Sequence, residues 1–98
     1  MTQNASAAVQ PPVTVVLAPA LLRLFPEAQR RIEVYASTVG EMMNALDHRW
    51  PGMRDRLCDS TPAVRRHINV FVSGERASLH TPLVAGSEVW VLTAISGG

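Results

Sequence analysis

Apolar and polar positions change rhythm several times along the chain. Residues 13–17 (VTVVL) form a β-branched run that Pro19 closes, and residues 30–36 (RRIEVYA) alternate Ile32, Val34 and Ala36 against Arg31, Glu33 and Tyr35. Both patterns predict strands, the second half exposed. Between them, Ala20, Leu21, Leu22, Leu24 and Phe25 read as a loop that caps one end of the core, because Pro26 and the charged residues after it argue against extending a strand.

The period then lengthens. Thr38-Val39-Gly40-Glu41 has the Thr-x-x-Glu form of a capping box, in which hydroxyl and carboxylate satisfy backbone donors at a helix start. Val39, Met42, Met43, Leu46 and Trp50 follow as one helical stripe, with Glu41, Asn44 and His48 off it, and Pro51-Gly52 stops the helix. Met53 and Leu57 anchor a short further turn with Arg54, Asp55 and Arg56 in solvent, ahead of the breakers Asp59-Ser60-Thr61-Pro62. Residues 67–73 (HINVFVS) return to a period of two, with Ile68, Val70 and Val72 opposed to Asn69 and Phe71, and Gly74-Glu75 signals a turn. Residues 88–95 (EVWVLTAI) oppose Val89, Val91 and Ile95 to Trp90 and Leu92 and are apolar enough for a central strand. This order predicts an α+β domain, a mixed sheet with one main helix packed across one face.

Composition narrows the chemistry. The 98 residues carry a net charge of +1 from nine cationic and eight acidic side chains, which predicts one small domain without the electrostatic footprint of a nucleic-acid or membrane-surface binder. Residues 1–12 (MTQNASAAVQPP) read as a disordered leader, residues 13–95 as the domain and residues 96–98 as a flexible tail. No window of about 18 apolar residues suggests a membrane helix, and a lone Cys58 fits a reducing, cytoplasmic setting. All nine cationic residues are arginine, so a phosphate-loop lysine and a Schiff-base lysine are both excluded.

The usual catalytic signatures are also missing. His48, His67 and His80 lie far apart and without metal-ligand spacing, no GxSxG or Gly-rich phosphate loop occurs, and Cys58 reads as an ordinary half-buried thiol. No metal site and no bound cofactor are expected. Arg65-Arg66, with Arg54 and Arg56 nearby, read as a solvated flank or as an attraction for an acidic partner surface.

Gly97-Gly98 follows the expected central strand directly, which would hold the carboxylate of Gly98 on a short tether, about 20 Å at most from Thr93. Without Cβ atoms, two glycines can thread a narrow channel closed to other residues. The pattern suits a carboxylate presented to another enzyme. Trp90 and Leu92, on the outer face, would contribute a docking platform beside the tail or else a second small core.

Pro82-Leu83, Gly86, Glu88-Val89 and the final Gly97-Gly98 resemble the MoaD/ThiS family of ubiquitin-like sulfur carriers. Residues 67–75 and 92–98 are most like the cysteine-biosynthesis carriers of mycobacteria, although many members have prolines where this chain has Thr93-Ala94. The resemblance implies a β-grasp (ubiquitin-like) fold and a protein co-substrate, monomeric when free, with no catalysis of its own. It implies that an adenylating partner uses ATP and magnesium to activate Gly98, that sulfide or a sulfurtransferase makes the thiocarboxylate, and that an acceptor enzyme takes the sulfur in cysteine-, homocysteine- or methionine-type or related biosynthesis. Gly98 is then the reacting residue and Gly97 the access residue, with Ile95, Leu92 and Trp90 as the adjoining contact surface. A small, sulfur-carrying subunit of molybdopterin synthase and a ubiquitin-like modifier or interaction domain are the alternative readings.

Overall fold

A computed structural model describes residues 11–94, so most of the expected leader, and Ile95, Gly97 and Gly98, lie outside the described residues. The chain runs through β1 (Val13–Leu17), α1 (Pro19–Leu24), β2 (Arg31–Val34), α2 (Val39–Arg49), α3 (Met53–Leu57), β3 (Ile68–Val72), β4 (Glu75–Arg76) and β5 (Glu88–Thr93). The strands form one mixed sheet in the order β2-β1-β5-β3-β4, with β1 parallel to β5 and the other pairs antiparallel. This is the α+β arrangement expected from the alternating patterns, with β5 central.

Alternation decides which residues face the helices. Val13, Val15 and Leu17 of β1, Ile32 and Val34 of β2, Ile68 and Val70 of β3, and Val89 and Val91 of β5 all enter one core cluster. The α2 stripe of Val39, Met42, Met43 and Leu46 packs into the same cluster and is fully buried. At about 25 cal/mol per Å² of apolar surface removed from water, this burial is the main favourable term in folding.

Several local expectations change. Residues 19–24 form α1 and not a loop, because Pro19 stops β1 and also supplies the fixed φ of a first helical residue, and the Ala-Leu-Leu-Arg-Leu that follows is made of strong helix formers. Leu21 anchors α1 in the core, and the Phe25 N–H closes it on the Leu21 carbonyl at 3.0 Å. The second strand covers four residues, leaving Tyr35 outside it and exposed. The turn after β3 is centred on Ser73-Gly74, both at positive φ (51° and 88°), so Glu75 belongs to the short strand β4. Positive φ at both central residues gives the twist that a two-residue hairpin needs.

The helix starts as a modified capping box. Thr38 Oγ1 accepts from the Glu41 N–H at 3.1 Å, but the Glu41 carboxylate accepts from the N–H and hydroxyl of Ser37, at 2.9 and 2.7 Å, and not from the Thr38 N–H. These bonds hold the Glu41 carboxyl below its ordinary pKa, the backbone bond contributing most. At the other end Gly52 takes φ 97°, and Asp47 Oδ1 accepts from the N–H groups of Gly52 and Arg54, both at 3.0 Å, joining α2 to α3. Arg54 does not point into solvent as expected: it is half-buried and donates to Asn44 Oδ1 at 2.9 Å.

Candidate functional site

The proposed tail grows from the most enclosed strand of the sheet. β5 is held by β1 on one side and by β3 on the other, with Val89 and Val91 fully buried. Its last described hydrogen bond joins the Ala94 N–H to the His67 carbonyl at 2.7 Å. Ala94 is thereby tied to the residue just before β3. The expected reacting and access residues, Gly98 and Gly97, and Ile95 lie outside the described residues.

Trp90 and Leu92 occupy the sheet face opposite the helices, as their alternation with Val89 and Val91 requires. Trp90 is in register with Val16 of β1 and Phe71 of β3, and Leu92 with Asn69. None of Val16, Phe71, Trp90 and Leu92 belongs to the inner core cluster. Val16 is 2% exposed, whereas Trp90, Phe71 and Leu92 are half-buried. A buried valine with three half-covered apolar neighbours makes an apolar band on the outer face, next to the base of the tail.

Polar contacts orient that band. Trp90 Nε1 donates to Glu88 Oε1 at 2.8 Å, and Arg31 pairs with Glu88 Oε2 at 2.5 Å, linking β5 to an outer strand across β1. The Trp90 bond first, and Arg31 second, keep the Glu88 carboxyl below its ordinary pKa. The indole is thus held by its N–H while its ring stays in the band.

The other candidates take different places. Cys58 is buried, not half-buried, in the inner core, and burial pushes its thiol pKa up, which disfavours the nucleophilic thiolate. His48, His67 and His80 are exposed. Among the described residues no group of three His, Cys, Asp or Glu side chains is placed to hold a metal ion. No described helix is long and apolar enough to cross a membrane.

A family model described as the ThiS family matches residues 16–98. The chain belongs to the ThiS family. The ThiS-family chain is 30% identical over 92 residues to the sulfur carrier protein CysO of Mycobacterium tuberculosis, a match that covers 88% of this chain and 98% of that protein. It is 34% identical over 62 residues to small archaeal modifier protein 1 of Haloferax volcanii, covering 63% and 71% of the two. Among solved structures, a chain of the Amycolatopsis orientalis BexX/CysO complex matches with a TM-score of 0.76 at 29% identity, covering 88% of this chain and 99% of that one. The crystal structure of the Haloferax volcanii modifier matches with a TM-score of 0.73 at 28% identity, covering 88% and 98%. The fold is therefore the ubiquitin-like β-grasp, in a family of small sulfur carriers and modifiers.

The sequence reading placed Trp90 and Leu92 on the outer face but did not join Val16 and Phe71 to them. Val16 sits in an unbroken β-branched run that gives no sign of which residue faces out, and only the pairing of β1 with β5 sets it beside Trp90. Phe71 carried the available signal, an aromatic residue on the polar side of an alternating strand.

Proposed function

We propose that this ThiS-family chain is a sulfur carrier, a protein co-substrate whose Gly98 carboxylate is activated and converted to a thiocarboxylate. The observation that carries the reading is the family match running through residue 98, so that Gly97-Gly98 follow the central strand β5 inside the matched region. A carboxylate is ionised at neutral pH and is a poor acyl electrophile, so it needs activation. In an adenylating partner using ATP and magnesium, a Gly98 carboxylate oxygen attacks the α-phosphorus and pyrophosphate leaves, giving the acyl-adenylate. Sulfide then adds to the acyl carbon and AMP leaves, giving the thiocarboxylate; a sulfurtransferase persulfide gives an acyl disulfide that a second thiol reduces to the same product. Transfer of the sulfur to an acceptor enzyme, followed by hydrolysis of the acyl group, restores the carboxylate.

The roles divide along the structure. Gly98 reacts, Gly97 and Ile95 pass through the partner's channel, and Trp90 and Leu92 belong to the platform on which the partner rests. The likeness to CysO over 88% of the chain favours a cysteine-type biosynthetic acceptor. Likeness to the archaeal modifier favours a second reading, in which the activated Gly98 forms an amide with a target lysine. Intact-mass analysis after incubation with the adenylating enzyme encoded in the same genome, ATP and sulfide separates them. We expect a gain of one sulfur for one oxygen, localised to Gly98. No change with any cognate activating enzyme would sink the carrier reading, and isopeptide adducts without a thiocarboxylate would favour the modifier.

A further inference from the structure

Away from the outer-face band, β3 has an open edge. β4 pairs only with Phe71 and Val72, and the Ala77 N–H reaches the Val70 carbonyl at 2.8 Å. Beyond that, among the described residues, no strand covers Ile68 on the side that faces away from β5; its N–H donates to the Arg65 carbonyl at 2.9 Å, so its carbonyl is the group left toward the edge, while Asn69 turns its backbone groups toward β5. A groove of about 420 Å³ lies along this edge, between residues 62–66 and 76–80. Its floor is apolar, from Ile68, Val70, Ala77 and Leu79, and its rim carries Arg65, Arg66, Arg76 and His80.

The charge of the rim is one-sided. No acidic residue lines the groove. The acids adjoining it in sequence are Asp59 and Glu75; Asp59 Oδ1 is turned onto the N–H groups of Thr61 and Ala63, at 2.9 and 3.0 Å, and Glu75 is exposed in β4. Two of the arginines are partly engaged, Arg65 through Nε on the Asp55 carbonyl at 2.8 Å and Arg76 through a bond to Asn69 Oδ1, while Arg66 is exposed. The uncovered part of the edge offers the Ile68 carbonyl to a backbone N–H, the apolar floor offers side-chain pockets, and arginines favour carboxylates over other side chains.

We propose that this groove seats an extended, acidic segment of a partner protein, alongside β3. Resting on the carrier reading, the partner is one that also handles the tail. Arg65 and Arg66 lie just before His67, whose carbonyl holds Ala94 at the base of the tail, so the groove opens at the end of the sheet from which the chain leaves β5. One enzyme reaching for Gly98 would meet the arginine rim beside it, and complementary charge would speed and orient the encounter.

The first test is independent of sulfur chemistry. A blocked heptapeptide alternating glutamate with valine is titrated into the ¹⁵N-labelled protein, with a lysine–valine peptide as control. The expected result is a set of amide shifts confined to Ile68, Val70, Ala77 and Leu79 with the acidic peptide alone, and at least tenfold weaker binding to Arg66→Glu, whose exposed side chain can change without disturbing the core. No shift at millimolar peptide, equal shifts with both peptides, or shifts centred on Trp90 would each overturn the proposal. The second test measures adenylation by the cognate enzyme, where Arg66→Glu should raise KM about tenfold with kcat unchanged. An unchanged KM would remove the tail-handling enzyme as the partner and so overturn the proposal as stated. If the wild-type chain is not adenylated at all, the carrier reading fails, and the peptide titration still decides whether the groove takes an acidic segment.

Discussion

Trp50 and Trp90 lie on opposite faces of one sheet, and the fold treats them differently. Trp50 ends α2, with its N–H on the Leu46 carbonyl at 2.9 Å and its ring packed against the inner core. Trp90 stands mid-strand on the outer face, outside that core, with its indole N–H tied to Glu88. The inner tryptophan is placed by helical period and by contact with a closed core. The outer one is placed by strand alternation; both are half-buried, but only Trp50 packs against the inner core. Matter removed from the inner face should therefore register as lost stability, and matter removed from the outer face as lost recognition.

The largest effect expected from this contrast is on the inner face. Met42 is fully buried on the α2 stripe, and Met42→Ala should cost about 2–5 kcal/mol of folding free energy, from lost transfer energy plus the cavity left behind. Urea unfolding followed by circular dichroism measures it. A loss well under 1 kcal/mol would mean that the helix does not press on the sheet as the structure has it.

Next in size is the tail, where the expected loss is functional. Gly97→Leu should alter stability by no more than about 0.5 kcal/mol, as for exposed substitutions away from special features. On the carrier reading proposed above, the same side chain would meet a channel shaped for backbone inside an activating enzyme, and misplacing the reacting carboxylate by about 1 Å can cost about a hundredfold in rate. Thermal unfolding and ATP-dependent adenylation, measured together, check both halves. Normal adenylation would reduce the diglycine to a simple chain end, and a large stability loss would place the tail within the packed fold.

Trp90→Ala should have a smaller effect of the same kind. Tryptophan is enriched among the few interface residues whose truncation costs more than about 1 kcal/mol, so KM for the activating partner should rise about tenfold, equivalent to about 1.4 kcal/mol. Its cost to stability should remain below that of Met42→Ala, because the ring is outside the inner core. If the two variants lose equal stability while KM stays constant, the outer band is a second core and not a platform.

The two faces were also unequally legible in the sequence. α2 could be read almost to the residue because Thr38, Glu41 and the stripe from Val39 to Leu46 act within a few positions of each other. The inner sheet face followed from simple alternation in β2, β3 and β5. α1 was missed because six residues between two prolines give too little periodicity to separate a helix from a loop, and β4 because two residues have no pattern at all. The outer band needed strand order, which joins Val16, Trp90 and Phe71 from distant parts of the chain. The arginine-rimmed groove was legible as a local cluster at Arg65-Arg66, but its floor depends on where β4 stops.

The smallest effect follows from protonation and tests the contrast between the two tryptophans most directly. Glu88 is held below its ordinary pKa of 4.5 by the Trp90 bond and by Arg31. A carboxyl lowered by folding contributes stability that is fully present above its unfolded value and is lost as pH falls through the lower folded value. Below pH 4.5, therefore, protonation of Glu88 should weaken its bond to Trp90, and the Trp90 indole N–H resonance should move with the Glu88 titration. The Trp50 indole has no carboxylate hydrogen-bond partner among the described residues and should not follow it. In Glu88→Gln the Trp90 transition should disappear, since the amide stays neutral throughout. An NMR pH titration reads all three, and a Trp90 signal that stays flat in the wild-type chain, or a Trp50 signal that moves with the same midpoint, would show that the outer indole is not held by Glu88 in solution.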